Sequence, residues 1–435
     1  MSHRKRRGVA HMRQFVLNLG RHSTTRVARG VIAGMMTSLL TGCEHAGNGA
    51  LAVPNDKFAG CYDNGCVDAP MLVADVPRLA SLSAGTTHTC GLTPSGEAWC
   101  WGDNTRGALG DGTDAMRTAP VRVHGALHFA SISAGRNVTC GVTRDHAAYC
   151  WGSGATGQLA QLVPERCGPG QEMCARQPLR IPNLQAIAIA AGARHACAID
   201  TSGSAYCWGF NTLGETGGTV YGMIGYAPRR QDASVSFTAI GAGDSYSCAR
   251  TTDGRVYCWG SANRGEIGRP GAACNTVYVF VNLCSATPAP VNATATFTSL
   301  AVGISHSCGV TSSGSVLCWG DNGQGQLGTR GFVNPVAPVT AHDGMPFSAI
   351  AAAGAATCGT PVGRASVCWG LNKSGTLGIG ERLALSTAPR EIVGARRFTS
   401  FAAGEGHVCA LTAEGMTYCW GMGTLGQLGA GPRIP

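Results

Sequence analysis

The chain has 435 residues, of which 13% are charged, and its 64 glycines and 20 prolines make about 19% of it, below the ~25–30% typical of disordered sequences. The net charge of +9 lies at the start of the chain, because residues 1–42 hold eight of the 33 basic residues and none of the 24 acidic ones. The remaining 25 basic and 24 acidic residues nearly balance, which gives little support to nucleic-acid binding, while glycines at repeating positions rather than in runs indicate an ordered, turn-rich β protein.

Residues 1–42 have the organisation of a secretory signal peptide. A basic stretch leads into an apolar run of about ten residues, Val31–Leu40, which is too short to span a membrane. The segment Leu40-Thr41-Gly42-Cys43 resembles the lipobox of bacterial lipoproteins, in which the cysteine is lipidated and becomes the first residue of the mature chain. We therefore predict lipidation of Cys43 and export to the bacterial cell envelope, with the lipid as the only membrane contact. A cleaved signal without lipid is the alternative, and Met12 is an alternative start.

Residues 43–68 follow as a tether between the lipid and the body of the protein. The segment from Glu44 to about Pro54 is rich in small and polar residues, which is typical of a flexible linker. Cys61 and Cys66 enclose a short loop, and we predict that a disulfide closes it.

The remaining residues, 69–435, are built on one repeated unit. Two cysteines ten residues apart recur seven times, each pair runs into Trp-Gly, and successive pairs begin 50, 57, 51, 60, 50 and 51 residues apart. Short strands with frequent turn signals at this period predict an all-β fold, a seven-bladed β-propeller of four-stranded antiparallel blades. The pairs are Cys90 with Cys100, Cys140 with Cys150, Cys197 with Cys207, Cys248 with Cys258, Cys308 with Cys318, Cys358 with Cys368 and Cys409 with Cys419.

The spacing of each pair predicts one disulfide per blade. In the first unit a three-residue loop, Pro94 to Gly96, pairs Thr93 with Glu97 across a hairpin, and counting outward places Cys90 opposite Cys100. Free buried thiols are an alternative, and a metal site is a weaker one because the chain has no Cys-x-x-Cys. Disulfides require an oxidising compartment, which agrees with export.

The remaining cysteines are predicted to pair as well. Cys167 with Cys174 and Cys274 with Cys284 form two further pairs. Cys43 is then the one odd cysteine of 21, and it is the residue that the lipobox would acylate.

A proline recurs between successive units and predicts the blade boundaries. We expect a strand led by this proline to begin each new blade, which makes Ala69-Pro70 the start of the first blade. The C-terminal tail, residues 431–434, repeats this pattern, and we expect it to close the ring against the N-terminal strands. The recurrent prolines are Pro120, Pro178, Pro228, Pro290, Pro338 and Pro389.

Three recurrent motifs, Gly-x-x-His-x-Cys, Trp-Gly-x-Asn and Gly-Gln-Leu-Gly, resemble the repeat of the regulator of chromosome condensation family, including its bacterial alpha-tubulin-suppressor-like members. They stand in register, as at Gly303 to Cys308, Trp319 to Asn322 and Gly325 to Gly328. The resemblance covers about residues 69–431 and implies a propeller, with guanine-nucleotide exchange or chromatin binding as family activities. The paired cysteines depart from the eukaryotic repeat and suit an exported member.

No residue pattern points to catalysis, a metal or a cofactor. His88, His195, His306 and His407 share one repeat position, but Val138, Tyr246 and Ala356 occupy it in the other units. A position that accepts valine and alanine is a packing position, so we predict a structural role for these histidines and for the tryptophans of Trp-Gly. The chain contains none of the common nucleophile, phosphate-binding or zinc-protease motifs, and we predict that it is not an enzyme.

Two units depart from the period by long connections, and these are the predicted binding region. The junction from Ala160 to Pro178 takes 18 residues and that from Gly268 to Pro290 takes 22, where the others take 10 or 11. Insertions at equivalent points of a repeat emerge on one face, often the binding face. Tolerated loop growth is the alternative. The residues predicted to form an apolar partner-binding patch are Tyr221, Met223, Tyr226, Tyr278 and Phe280.

Together these patterns predict an exported, lipid-anchored monomer that binds a protein or a glycan through loops on one face. Exchange-factor or chromatin functions are alternatives implied by the resemblance, and export and the neutral charge of the mature chain disfavour them. An extracytoplasmic lyase or hydrolase, or an enzyme inhibitor, on a propeller scaffold is a further alternative.

Overall fold

The computed structural model describes residues 65–218, 223–231, 234–274, 282–342, 345–381 and 383–431, and its regular elements there are β-strands. No helix within these ranges has the length and apolarity needed to cross a membrane. The strands are β1 Cys66–Leu72, β2 Ser81–Ala84, β3 His88–Leu92, β4 Ala98–Gly102, β5 Arg117–Arg122, β6 Phe129–Ala134, β7 Val138–Thr143, β8 Ala147–Ser153, β9 Arg166–Cys167, β10 Glu172–Ala191, β11 His195–Asp200, β12 Ala205–Asn211, β13 Met223–Arg230, β14 Phe237–Ala242, β15 Tyr246–Thr251, β16 Val256–Ser261, β17 Ala272–Cys274, β18 Asn282–Pro290, β19 Ala301–Val302, β20 His306–Val310, β21 Val316–Gly320, β22 Val339–Thr340, β23 Phe347–Ala352, β24 Ala356–Pro361, β25 Val367–Leu371, β26 Leu385–Glu391, β27 Ser400–Ala403, β28 His407–Leu411 and β29 Thr417–Met422.

These strands form seven four-stranded antiparallel blades, which confirms the predicted fold class. In each blade the first strand lies nearest the central axis and the fourth is outermost. The long strand β10 serves two blades, because its first half pairs with β8 and its second half with β11. From first strand to fourth, the blades are β2 to β5, β6-β7-β8-β10, β10-β11-β12-β13, β14-β15-β16-β18, β19 to β22, β23 to β26, and β27-β28-β29-β1.

The ring is closed by the N-terminal strand, in a different way from the prediction. Strand β1 pairs with β29 and is the fourth strand of the seventh blade. The first blade therefore begins at Ser81 rather than at Ala69, and the propeller begins at Cys66, three residues before the predicted boundary. The last described residue of the tail, Gly431, donates its N–H to the Thr118 carbonyl in the first blade, and residues 432–435 lie outside the described residues.

The recurrent prolines end blades instead of beginning them, which corrects the predicted phase by one strand. Pro120, Pro228 and Pro389 lie within the outermost strands β5, β13 and β26. Proline lacks an N–H, so it is tolerated where one strand edge faces outward and no ladder partner is required. The spacing of the repeat is the same whether the proline-containing strand is the first or the fourth of a blade, so the motifs alone could not distinguish the two arrangements.

Each blade carries one disulfide between its second and third strands, as predicted. The two cysteines stand directly opposite each other in all seven blades, with Cα atoms 4.0–4.1 Å apart, and all fourteen are fully buried. In blade order, the bridges join Cys90 to Cys100, Cys140 to Cys150, Cys197 to Cys207, Cys248 to Cys258, Cys308 to Cys318, Cys358 to Cys368 and Cys409 to Cys419.

The hairpin between the two strands holds each pair of sulfurs together. In the first blade Thr93 N–H donates to the Glu97 carbonyl at 3.0 Å, and Gly96 has a φ of 91°, a left-handed conformation that glycine adopts readily. This is the three-residue loop that the sequence predicts.

The predicted bridge in the tether is not settled by the structure. Cys66 is described as the first residue of β1, whereas Cys61 lies outside the described residues. The pairing of Cys61 with Cys66 and the lipidation of Cys43, which also lies outside them, stay predictions.

A fully buried tryptophan after the second cysteine packs each blade against the preceding one. Phe398 stacks on Trp420 within the seventh blade, with ring centroids 5.7 Å apart. The Trp420 indole N–H crosses to the sixth blade and donates to the Thr376 carbonyl at 2.9 Å. The equivalent bonds to the preceding blade are made by Trp101, Trp208, Trp259, Trp319 and Trp369.

Candidate functional site

One face of the propeller carries both long insertions. In an antiparallel blade the turn from first to second strand and the connection from third to fourth strand lie at the same end. Hydrogen bonds join these two connections, as where Asp103 N–H donates to the Thr87 carbonyl at 2.9 Å. Both insertions are third-to-fourth connections, in blades 2 and 4, so they emerge together. We refer to this end of the molecule as the insertion face and to the other as the opposite face.

The first insertion, residues 163–176, is a small hairpin tied to blade 1. Strand β9 pairs with the start of β10, and a disulfide joins Cys167 to Cys174. The Arg176 guanidinium contacts Glu165 at 2.7 Å and, in blade 1, Asp114 at 2.9 Å. Each pair is partly exposed and contributes less than about 1 kcal/mol by itself, but one arginine shared by two carboxylates orients the hairpin.

The second insertion, described at residues 270–274 and 282–286, leans on blade 3. Strands β17 and β18 pair, and a disulfide joins Cys274 to Cys284. Gly218 N–H in blade 3 donates to the Ala286 carbonyl at 3.0 Å. Within blade 4, Ala262 N–H donates to the Leu283 carbonyl, and Leu283 N–H donates to Asn263 Oδ1, both at 2.8 Å. Each insertion therefore rests on the blade before its own, so the first leans away from blade 3 and the second towards it.

Most of the predicted aromatic patch lies outside the described residues. Tyr221, Tyr278 and Phe280 are not described, and only the backbone of Met223 is, as the first residue of β13. Tyr226 lies half-buried within β13. The patch remains a prediction. On the described parts of the same loops the exposed large apolar side chains are Leu162 and Leu283, which no motif distinguished from core leucines.

The shared histidine position joins neighbouring blades. His88 Nε2 lies 2.8 Å from Thr139 Oγ1 in the next blade, and the Thr139 hydroxyl donates to the Ala108 carbonyl at 2.8 Å. Because that hydroxyl has already donated its hydrogen, the His88 nitrogen must be the donor, and the proton sits on Nε2. We call this relay from imidazole to hydroxyl to carbonyl the interblade clasp. The same imidazole–hydroxyl contact joins His195 to Ser247, His306 to Thr357 and His407 to Thr89.

The residue at the histidine position of one blade matches the residue that it faces in the next blade. Tyr246 reaches the Ser307 hydroxyl at 3.0 Å and the His306 carbonyl at 2.7 Å. Where the position holds an apolar residue, Val138 or Ala356, the next blade also presents an apolar residue, Ala196 or Val408. The position therefore matches blades to one another and is not directed at a ligand.

The buried histidines are neutral at physiological pH. Burial lowers the pKa of His88, His195 and His306 to about 4, and that of His407 to about 3, because the charged imidazolium would lose its hydration. Elsewhere in the described residues no group of three His, Cys, Asp or Glu side chains is placed to hold a metal ion.

The central opening on the insertion face is narrow. Its walls are mostly alanine and glycine from the first-to-second-strand turns, with Arg136, Asp244 and Glu405 from three separate blades, and it encloses about 80 Å³. That volume holds a few water molecules and is well below the ~300 Å³ of a small-molecule site. The opening is therefore a poor candidate for a substrate pocket, and the loops around it are the larger surface.

Two models of the regulator of chromosome condensation (RCC1) repeat match the blades. One matches residues 80–108, 129–158, 186–215, 237–266, 297–326 and 398–427, and the other matches residues 95–142, 145–199 and 368–411. Together they cover more than half of the chain.

Similar proteins include protein pim1 of Schizosaccharomyces pombe, 27% identical over 255 residues, which are 56% of this chain and 37% of pim1. The secretion-regulating guanine nucleotide exchange factor of Mus musculus is 27% identical over 197 residues, 40% of this chain and 42% of that protein. The chain thus spans less than half the length of these relatives.

The structure of Prp20p from Saccharomyces cerevisiae, a protein studied for its binding to Gsp1p and histones, has a TM-score of 0.65 and 18% identity, with 83% of this chain and 86% of Prp20p covered. At this identity the likeness shows the fold.

Proposed function

This chain belongs to the regulator of chromosome condensation repeat family, and we propose that it is an exported, lipid-anchored propeller that binds a protein partner on its insertion face. The observation that carries the proposal is the pair of disulfide-closed hairpins projecting from one face, each tied to a neighbouring blade. A loop held in one conformation before binding loses little entropy when a partner docks, which favours affinity. The propeller supplies the rigid support.

Export is supported by the disulfides and the leader. Nine disulfides among the described residues require an oxidising compartment, and the segment ending in Cys43 has the pattern of a lipoprotein signal. An anchored binding protein agrees with the absence of a catalytic motif in the sequence and with the narrow central opening.

The test is in-cell cross-linking followed by purification of the full chain. Leu162→Arg combined with Leu283→Arg places two charges on exposed positions of the insertion face, and Val362→Arg places one at a comparably exposed position in a second-to-third-strand hairpin of the opposite face. We expect the double variant to lose the cross-linked partner and Val362→Arg to keep it, since a buried unpaired charge opposes docking. Equal retention of the partner by the double variant and by the opposite-face variant would contradict the proposed binding face. A partner that resists proteinase digestion would be a glycan.

A second candidate is guanine-nucleotide exchange, supported by the similarity to the murine exchange factor. Blade disulfides disfavour it, because small GTPases work in the reducing cytoplasm. Release of labelled GDP from a small GTPase by the purified chain would favour exchange, whereas no release, together with recovery of the oxidised protein from the envelope, would favour the binding function.

A further inference from the structure

The N-terminal segment leaves the propeller on the insertion face. Cys66, the first residue of β1, pairs with Met422, and the Gly65 carbonyl accepts the Gly423 N–H at 2.6 Å. The far end of the same strand, Leu72, lies opposite Tyr418 towards the opposite face. A chain that runs from Cys43 to Gly65 spans 22 residues, and even fully extended it reaches only about 80 Å.

Blade 5 exposes an apolar loop on this face. Phe332 is 52% exposed, Val333 is 80% exposed and Val336 is 58% exposed. Pro335, which packs against Gly265 of blade 4, has no N–H to give to the blade's third strand. The fourth strand of blade 5 is consequently only two residues long, whereas the corresponding strands of blades 1 and 6 pair further towards the insertion face.

The next two blades also expose apolar side chains on this face. Leu383 in the corresponding connection of blade 6 is 38% exposed, and Met422, beside the point where the chain enters blade 7, is 37% exposed. We call Phe332, Val333, Val336, Leu383 and Met422 the apolar rim. On blades 1 to 4 of the same face the exposed apolar residues Met116, Leu162 and Leu283 stand singly, on blades 1, 2 and 4, among the insertions and their ion pairs. The rim also has an ion pair, Arg390 with Glu381 beside Leu383, but three of its apolar residues stand on one loop.

We propose that the apolar rim of blades 5 to 7 lies against the lipid surface to which the chain is anchored, which leaves the insertions of blades 2 and 4 at the side, accessible to a partner. The inference rests on the proposed lipid anchor, and it replaces the expectation that the lipid is the only membrane contact. Because the chain enters the propeller at blade 7, the anchor is attached on the side of these three blades. Burying exposed phenylalanine, leucine, methionine and valine in the interface between headgroups and acyl chains lowers the free energy. Large apolar side chains grouped on an exposed surface generally mark such a contact.

The experiment places a tryptophan reporter in the rim. The full chain is exported by its own leader, purified as the cell processes it, and reconstituted into vesicles of phosphatidylethanolamine and phosphatidylglycerol brominated near the headgroup, since bromine quenches tryptophan that it touches. The reporter is Phe332→Trp, and the matched control is Val362→Trp, a position 58% exposed in a hairpin of the opposite face. The seven tryptophans that follow the blade cysteines are fully buried. The eighth, Trp99, is half-buried in β4 and common to the parent and both reporters, so the signal of the parent chain is subtracted as background.

We expect Phe332→Trp to lose fluorescence in brominated vesicles relative to unbrominated ones, and Val362→Trp to keep it. Trypsin resistance and melting temperature compared with the parent check that each reporter is folded, and Val336→Trp serves if Phe332→Trp is not. A vesicle-bound chain whose rim reporters are unquenched, or quenched no more than Val362→Trp, contradicts the rim contact alone. A chain that does not stay with the vesicles contradicts the lipid anchor and, with it, the rim contact.

Discussion

The imidazole Nε2 of His407 in the last blade lies 2.8 Å from the hydroxyl of Thr89 in the first blade, 318 residues away in the chain. The Thr89 hydroxyl in turn donates to the Gln427 carbonyl at 3.0 Å, and the Trp101 indole N–H donates to the same carbonyl at 2.9 Å. The junction that closes the ring thus uses the clasp found between other blades. Closure depends on side chains as well as on strand β1.

Thr89→Val tests the closing clasp. The substitution keeps the shape of the side chain and leaves the buried His407 N–H without an acceptor, so we expect the free energy of unfolding to fall by about 1–3 kcal/mol. The measurement is guanidinium denaturation with the disulfides intact. Thr86→Val, at a half-buried position of the central opening, is the control. Equal effects of the two substitutions would show that the clasp contributes nothing.

Acidification is expected to weaken the propeller through its buried histidines. Their folded-state pKa values are about 4 or lower, against 6.5 when unfolded, so between these values the unfolded chain binds more protons. Their contribution to stability is therefore complete above pH 6.5 and declines as the pH falls towards 4. Burial raises the pKa of Glu215 and Glu266, and these carboxyl groups act in the opposite direction.

The histidine contribution is isolated by His306→Gln, which keeps a side-chain N–H for Thr357 and does not titrate. Denaturation midpoints of the two chains between pH 7 and pH 4 should show a smaller loss for His306→Gln. Parallel pH profiles of the variant and the parent would mean that this histidine does not contribute to acid sensitivity.

Two tryptophan substitutions separate a hydrogen bond from ring packing. Trp101 donates to the Gln427 carbonyl, whereas the buried Trp151 N–H has no partner among the described residues. Trp→Phe removes the same ring atoms at both sites, so we expect Trp101→Phe to lower the free energy of unfolding by about 1 kcal/mol more than Trp151→Phe. Denaturation curves of the two variants measure this difference. A greater loss at residue 151 would assign the effect to packing.

Mass spectrometry of the intact mature protein tests the disulfides and the anchor together. Reduction should add two hydrogens for each of the nine bridges, about 18 Da, and a further two if the predicted Cys61–Cys66 bridge is present. Lipid on Cys43 should be detected as added mass that Cys43→Ser abolishes. An unchanged mass on reduction would contradict the oxidised state, and a mature chain of unmodified mass would contradict the anchor.

Local features of the fold were predictable from sequence, since they depend on neighbouring residues. The hairpin between Cys90 and Cys100 follows from a three-residue loop with Gly96 in a left-handed conformation, and both strands lie within residues 88–102. The place of the insertions followed in the same way, from the length of two connections. The exposure of Phe332 and Val333 could not be predicted, because the sequence alone does not show whether an apolar residue in a loop is buried by neighbouring blades.

The sequence by itself determined the number of blades and the partners of the blade cysteines, because both depend on spacing along the chain. Tertiary structure decided which strand completes which blade. The spacing of the repeats is the same whichever strand is counted as the first of a blade, and only the pairing of β1 with β29 shows where each blade begins. It also decided the role of the histidines. The hydroxyl that each one meets belongs to the neighbouring blade, at least 51 residues distant, and only folding brings the two into hydrogen-bonding distance.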